Sequence, residues 1–236
     1  MQPRLDPAAV RRQLRDAGLR ARRERSQNFL ADVEVLERVL AEAQPMPGRR
    51  VLEIGPGLGI LTGGLLDAGA VVTAVELDEG MVGVLGQRFA AAILAGETDP
   101  TAPGTLRLIS GDALDQDLVH LAPPPYDVVA NLPYHVTSPI LHRLLGGPPR
   151  AERLVLMVQR EVAERIAAPP GQMSYLSVFV QYHARVRVAF RVPREAFEPA
   201  PNVESAVIVV QPYPGDDRLD RAAEEELWRV VQAGFR

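Results

Sequence analysis

Val51-Leu52-Glu53-Ile54-Gly55-Pro56-Gly57-Leu58-Gly59 joins a short apolar run to three glycines at alternate positions, and Ile60 to Leu66 follows as a helix that Gly69 closes. The apolar run reads as an interior strand, and a strand entering a helix through a glycine turn opens a doubly wound sheet. Glycines let the backbone approach a ligand closely, because no Cβ intervenes. A dinucleotide loop has the spacing Gly-x-Gly-x-x-Gly, which brings pyrophosphate to the helix N-terminus. Here the third glycine comes one residue early, and Pro56 stiffens the turn.

Outward from this loop, strands and helices alternate. Val71 to Val75 is a strand ending at Glu76-Leu77-Asp78, and Met81 to Phe89 is a helix. Glu97 to Gly104 reads as a loop, Leu106 to Ile109 as a strand ending at Gly111-Asp112, and Tyr126 to Ala130 as a strand delivering Asn131. Upstream, Asp6 to about Arg25 reads as a helix, and Asp32 caps the amphipathic stretch Val33, Leu36, Val39, Leu40 up to Pro45. Downstream come a helix from Ile140 to Leu145, a strand from Leu154 to Val158 and a helix from Glu161 to Ala167. Val178 to Phe190 is strand-like, Ala206 to Val210 is a final strand, and a helix runs from Ala222 to Gln232. The expected fold is α/β with a mostly parallel, doubly wound sheet. Ligands of such sheets bind outside the carboxyl ends of the strands, where Glu53, Gly55, Glu76, Asp112 and Asn131 fall.

Glu76 lies about twenty residues past the glycine loop, where an acid can bond both hydroxyls of a ribose. Asp112 is placed to accept from an adenine amino group. The chain has no lysine, so no Walker lysine exists, and the three features together fit an adenosine without phosphates. Taken singly, Glu76 and Asp112 are equally well read as solvated strand-end acids. Asn131-Leu132-Pro133-Tyr134 adds chemistry to this edge. Pro133 has a fixed φ and pushes Leu132 toward extended geometry, so the Leu132 carbonyl is held in a defined direction. An amide, that carbonyl and an aromatic ring can accept two N–H bonds from an exocyclic amine and stack on its ring. The bland reading is a polar turn with Tyr134 half buried.

At 236 residues, with 47% hydrophobic and 24% charged side chains, the chain suits one substantial domain with a full core. No apolar run is long enough for a membrane span, the arginine-rich start lacks a secretory core, and a cytoplasmic location is expected. Without cysteine there are no disulfides, thiolate metal sites or cysteine nucleophiles. His120, His135, His142 and His183 show no metal-ligand spacing, so no metal is expected. Net charge is −4, yet eight arginines between Arg4 and Arg25 face only Asp6, Asp16 and Glu24. Arginine forks bind phosphates and stack on bases, so this arm suits RNA; a solvated tail explains it equally well.

Read together, Gly55-Pro56-Gly57-Leu58-Gly59, Glu76, Asp112 and Asn131-Leu132-Pro133-Tyr134 give a chain that resembles the S-adenosylmethionine-dependent methyltransferases. More closely, it resembles the ribosomal RNA adenine N6,N6-dimethyltransferases, which modify two adjacent adenosines near the 3′ end of small-subunit rRNA. Ser26-Gln27-Asn28-Phe29-Leu30, Gln159-Arg160-Glu161-Val162 and Phe197 to Val207 support the likeness, which covers about residues 22 to 236. It implies a Rossmann-like class I methyltransferase fold, with S-adenosylmethionine as methyl donor and S-adenosylhomocysteine as product. It places Asn28 and Leu30 over the cofactor, Gly55 beside its methionine part, Glu76 on the ribose and Asp112 on the adenine, with Gly57, Leu77, Ala113 and Asn131 also among the cofactor-binding residues. Asn131, Leu132, Pro133 and Tyr134 are expected at the transfer centre, with Phe197 against the target base. Two aromatics clamping one flipped adenine contribute about 1–3 kcal/mol per stacked base.

The resemblance also implies small-subunit rRNA, or an immature 30S particle, as partner, and a monomer is expected. Residues 1–25 are expected as a basic arm, 26–212 as the methyltransferase domain, and 213–236 as the start of a C-terminal helical domain. The family normally continues past Gly234-Phe235-Arg236 with a basic segment and a small helical domain. Ser26 stands where a glycine is usual, and Met173-Ser174 where Tyr-Gly is typical. Three other functions share these features. Antibiotic-resistance methyltransferases acting on large-subunit rRNA carry nearly all the motifs. An assembly factor that binds RNA without catalysis fits the arginine arm. A dinucleotide oxidoreductase fits the glycine loop and Glu76, but not the early third glycine.

Overall fold

The computed structural model describes residues 5–22, 27–133, 136–214 and 221–235. The chain opens with α1 (Pro7–Asp16), β1 (Phe29–Leu30) and α2 (Val33–Ala43), followed by β2 (Arg50–Ile54), α3 (Ile60–Asp67) and β3 (Val71–Glu76). Next come α4 (Glu79–Arg88), α5 (Ala90–Thr98), β4 (Leu106–Ser110), α6 (Leu118–Leu121), β5 (Tyr126–Asn131) and α7 (Thr137–Leu145). The last part holds β6 (Arg153–Gln159), α8 (Arg160–Ile166), α9 (Tyr175–His183), β7 (Ala184–Val192), β8 (Phe197–Glu198), β9 (Ser205–Pro212) and α10 (Arg221–Gly234).

Seven strands form one sheet in the order β4-β3-β2-β5-β6-β9-β7. The first five run parallel; at the far edge β9 is antiparallel to β6, and β7 is antiparallel to β9. The order reverses beside β2, whose neighbours are β3 and β5, and a crevice opens at that switch point. Alternation along the strands builds two cores. Leu52 and Ile54 of β2 with Val128 and Ala130 of β5 face α6 to α9, while Val51, Val72, Ala74 and Val129 face α2 and α3. The pair β1–β8 sets Leu30 opposite Phe197 above the sheet. No helix among the described residues is long and apolar enough to cross a membrane.

The expected α/β architecture is present, and three elements differ from their sequence reading. Asp6 caps α1, but the helix stops at Asp16 rather than near Arg25. Gly18 takes φ +67°, and the bonds from Gly18 N–H to the Arg15 carbonyl and from Leu19 N–H to the Leu14 carbonyl close a Schellman turn. Glu97 and Thr98 belong to α5, not to a loop, because alanine-rich Ala90 to Gly96 carries high helix propensity through them. Tyr175 to His183 is helical where Val178 to Phe190 read as strand. Ser174 and Ser177 cap that helix reciprocally, and Phe179 packs between His142 of α7 and Trp228 of α10, so tertiary burial overrides the β-branched bias.

Candidate functional site

The carboxyl ends of β2, β3, β4 and β5 converge on one cavity of about 350 Å³, within the range of small-molecule sites. Its walls hold Asn28, Leu30, Gly55, Gly57, Glu76, Leu77, Asp112, Ala113, Asn131, Leu132, Pro133 and Phe197, so these site residues read from the sequence share one space. Tyr134 lies outside the described residues.

The glycine loop turns on backbone angles that side chains rarely adopt, with φ of +69°, +56° and +76° at Gly55, Gly57 and Gly59. A Cβ on Gly57 would stand 3.0 Å from the Phe29 ring. A Cβ on Gly55 would lie 3.8 Å from Pro133 Cδ and 4.0 Å from the Asn131 carbonyl oxygen, so the loop faces the Asn131-Leu132-Pro133 turn directly. Loop and turn thus pack against each other at the ends of paired strands β2 and β5, and both line the cavity.

Glu76 is buried at the end of β3. The Gly57 N–H donates to its Oε2 at 2.9 Å and the Asp78 N–H to its Oε1 at 2.8 Å. Burial pushes its pKa up, while these two backbone donors favour the ionised form. The carboxylate, with four acceptor positions, keeps capacity for a further donor such as a ribose hydroxyl. Asp112 accepts the Leu114 N–H on Oδ1 at 2.8 Å, which fixes its carboxylate at the mouth of β4.

At the end of β5, Asn131 Nδ2 donates to the Asn28 backbone carbonyl at 3.2 Å. A carbonyl only accepts, so the amide nitrogen must face Asn28 and Oδ1 is left as the acceptor end. The Leu132 N–H donates to the Met157 carbonyl at 3.1 Å, and the Pro133 carbonyl accepts the Val136 N–H at 3.1 Å. The turn is therefore pinned on both sides of the proline. Phe197 is buried among Leu30, Val35 and Ala196 while also lining the cavity, so its ring packs in the core and walls the site at once. Leu77 is half exposed at the rim.

Residues to which the sequence reading gave no binding role also shape the site. Asp78 caps α4 and accepts from Gln27 Nε2 at 3.3 Å, which ties the segment before β1 to the cavity floor. Glu53 lines the cavity at 1% exposure. Thr62 Oγ1 donates to its Oε2 at 2.7 Å, whereas Oε1 has no hydrogen-bond partner. The signal was available: in a strand apolar on both faces, an acid at the third position has no solvent side to occupy. Among the described residues, no group of three or more His, Asp or Glu could hold a metal.

The sequence matches the family described as ribosomal RNA adenine dimethylase over residues 18–235. The chain belongs to that family. The "Ribosomal RNA small subunit methyltransferase A" of Geobacter sulfurreducens is a dimethylase relative 41% identical over 228 residues, covering 94% of this chain and 78% of the relative. Among solved structures, a dimethyladenosine transferase from Plasmodium falciparum is 28% identical with a TM-score of 0.66, over 78% of this chain and 63% of that one. The 23S rRNA methyltransferase ErmE is also 28% identical, with a TM-score of 0.70 over 87% of this chain and 78% of its own. The dimethylase chain thus carries the Rossmann-like fold of the class I methyltransferases. The site suits the donor such enzymes use: paired acceptors at Glu76, a glycine cradle that a Cβ at Gly57 would crowd, and an unpartnered buried carboxyl oxygen on Glu53.

Proposed function

We propose that this protein transfers methyl groups from S-adenosylmethionine to N6 of two adjacent adenosines near the 3′ end of small-subunit rRNA, giving N6,N6-dimethyladenosine during small-subunit assembly. The observation that carries the reading is the orientation of Asn131, whose amide nitrogen is held by the Asn28 carbonyl and whose oxygen is left to accept. Gly55, Gly57, Glu76 and Asp112 are the residues that would hold the cofactor. Bound there, S-adenosylmethionine supplies an electrophilic methyl group.

The chain's own residues supply position. The adenine N6 lone pair is delocalised into the ring, which makes the amine a poor nucleophile. Asn131 Oδ1 and the Leu132 carbonyl accept its two N–H groups and favour a tetrahedral nitrogen with a localised pair. The positive charge that develops on that nitrogen is met by the same two oxygens, which are preorganised by Asn28 and Pro133, and is discharged when the nitrogen releases one proton to solvent after each transfer. A second methylation keeps one of these bonds and needs room for one methyl group. Phe197 stacks on the base, and Tyr134, outside the described residues, is assigned the same role.

The names of the curated relatives favour the small subunit, while the likeness to ErmE favours the large one. Incubating the protein with labelled S-adenosylmethionine and undermodified 30S or 50S particles, followed by mass spectrometry of the RNA, separates them. Dimethyladenosine in the 30S sample alone is expected. Label confined to the 50S sample reassigns the target, and absence from both overturns the enzymatic reading.

A further inference from the structure

Glu53 has no role in the mechanism above, yet the fold keeps a carboxyl group at the cavity wall with one oxygen unpartnered. Its surroundings on the sheet are apolar: Ala74 on β3 and Val129 on β5 are its strand partners. The residue that bonds it from α3 is Thr62, through the hydroxyl, with the Thr62 backbone N–H acting in the same direction. The charged group facing it is Glu76 at the end of β3, a like charge. A carboxylate in this place has lost its water and gained a negative neighbour, with two weak donors in return. The neutral acid is the stable form, consistent with a pKa pushed up to about 8, first by burial and then by Glu76.

The cavity beside it is where the cofactor reading above, on which this inference rests, puts a ligand bearing an ammonium and a sulfonium. A cation brought within a few ångströms of this carboxyl group would reverse the balance, since an opposite charge at that range favours the ionised acid. We infer that Glu53 is a proton-exchanging positioning residue for the cofactor: it is neutral in the free protein, ionises as a cationic ligand group enters, and gives its proton to solvent. Cofactor affinity then rises with pH between about 6 and 8, up to about tenfold per unit.

Isothermal titration calorimetry in buffers of different ionisation enthalpy reads that proton directly. Work at pH 6.5–7, below the titration range of an α-amino group, keeps the cofactor's own ammonium charged throughout. S-adenosylmethionine binding is expected to release about one proton per site. Equal release with S-adenosylhomocysteine assigns the ammonium as the inducing cation, and release with S-adenosylmethionine alone assigns the sulfonium; both support the inference. Glu53→Gln should bind with no proton release and a flat affinity profile. Thr62→Val, which removes a donor to the ionised form, should move the pH dependence upward and keeps the test open if Glu53→Gln does not fold. Binding without proton release in the wild type, or undiminished release in Glu53→Gln, overturns the inference and leaves the cofactor assignment standing. No binding of either compound overturns both.

Discussion

The side-chain nitrogen of Asn131, at the end of β5, donates to the backbone carbonyl of Asn28, which lies 103 residues earlier in the chain. The bond joins the segment entering β1 to the turn at the sheet's open edge, and it decides which end of the amide faces the cavity. One contact therefore ties two distant segments of the cavity wall together and turns the amide oxygen away from Asn28.

Removing the amide tests the proposed acceptor role of Asn131 apart from the Glu76 and Asp112 wall. Asn131→Ala should lower the methyl-transfer rate by about 10²–10³-fold, the loss typical of one preorganised polar group at a reacting centre. The Kd for S-adenosylhomocysteine should change by no more than about threefold, because the Glu76 and Asp112 wall is untouched. Single-turnover transfer to undermodified 30S particles, paired with calorimetry, checks both. Near-normal turnover would remove Asn131 from the mechanism.

Two glycines of similar appearance in sequence should respond oppositely to alanine. At Gly57, φ is +56° and a Cβ would press on the Phe29 ring at 3.0 Å, so Gly57→Ala stores about 1–2 kcal/mol of backbone strain. It should also raise the cofactor Kd about tenfold or more. Gly83 sits inside α4 with nothing within 4 Å of an added Cβ, so Gly83→Ala should stabilise the protein by about 0.5–1 kcal/mol and leave binding alone. Urea unfolding and calorimetry on the pair decide it; equal behaviour of the two variants contradicts the assignment of the loop.

How much of this was legible beforehand follows from which forces act locally. Val51–Ile54 and Val71–Val75 read correctly as strands because a buried parallel strand announces itself as a nearly continuous apolar run, while Leu106–Ile109, at the sheet edge, alternates apolar residues with exposed Arg107. The strand-end residues followed, since the chain direction of a parallel sheet sends Glu76, Asp112 and Asn131 to one edge. Val178–Val180 misled because its helix is decided by contacts from α7 and α10 that lie far away in sequence. Glu53 was legible at the ligand-binding edge but not as an unpartnered carboxyl group, since its missing partner is a fact of three-dimensional neighbours rather than of spacing. The Asn131–Asn28 bond was hidden for the same reason.

The opposite end of the strands carries a separate stabilising device. Arg49, just before β2, forks onto Asp127 of β5 with bonds of 2.6 and 2.7 Å, and reaches Glu152 at 2.7 Å. Asp127 is buried, so Arg49→Met leaves a carboxylate without its counter-ion and should destabilise the protein on the order of 3 kcal/mol. Asp127→Asn introduced on top should recover part of that loss, because the stranded charge is gone. Since both residues lie away from the cavity, cofactor Kd at low temperature should not move. A double-mutant cycle by urea unfolding is the check; additive losses would show that the pair does not interact.

Ligand-free stability should itself fall as pH rises, through Glu53. Unfolded, its carboxyl titrates near the ordinary 4.5; folded, burial holds it at about 8. Between those values the unfolded chain has given up a proton that the native protein keeps, so rising pH favours unfolding. The contribution is whole below about 4.5, shrinks by about 1.4 kcal/mol per pH unit above it, and is gone once pH exceeds the folded value. Glu76, also raised by burial, acts in the same direction and leaves a smaller residual slope. Urea midpoints of the free protein measured from pH 5 to pH 8 should therefore decline, and in Glu53→Gln the decline should be markedly shallower. Parallel profiles for the two proteins would mean that Glu53 is already ionised at pH 5, and that the carboxylate beneath α3 is stabilised by more than Thr62.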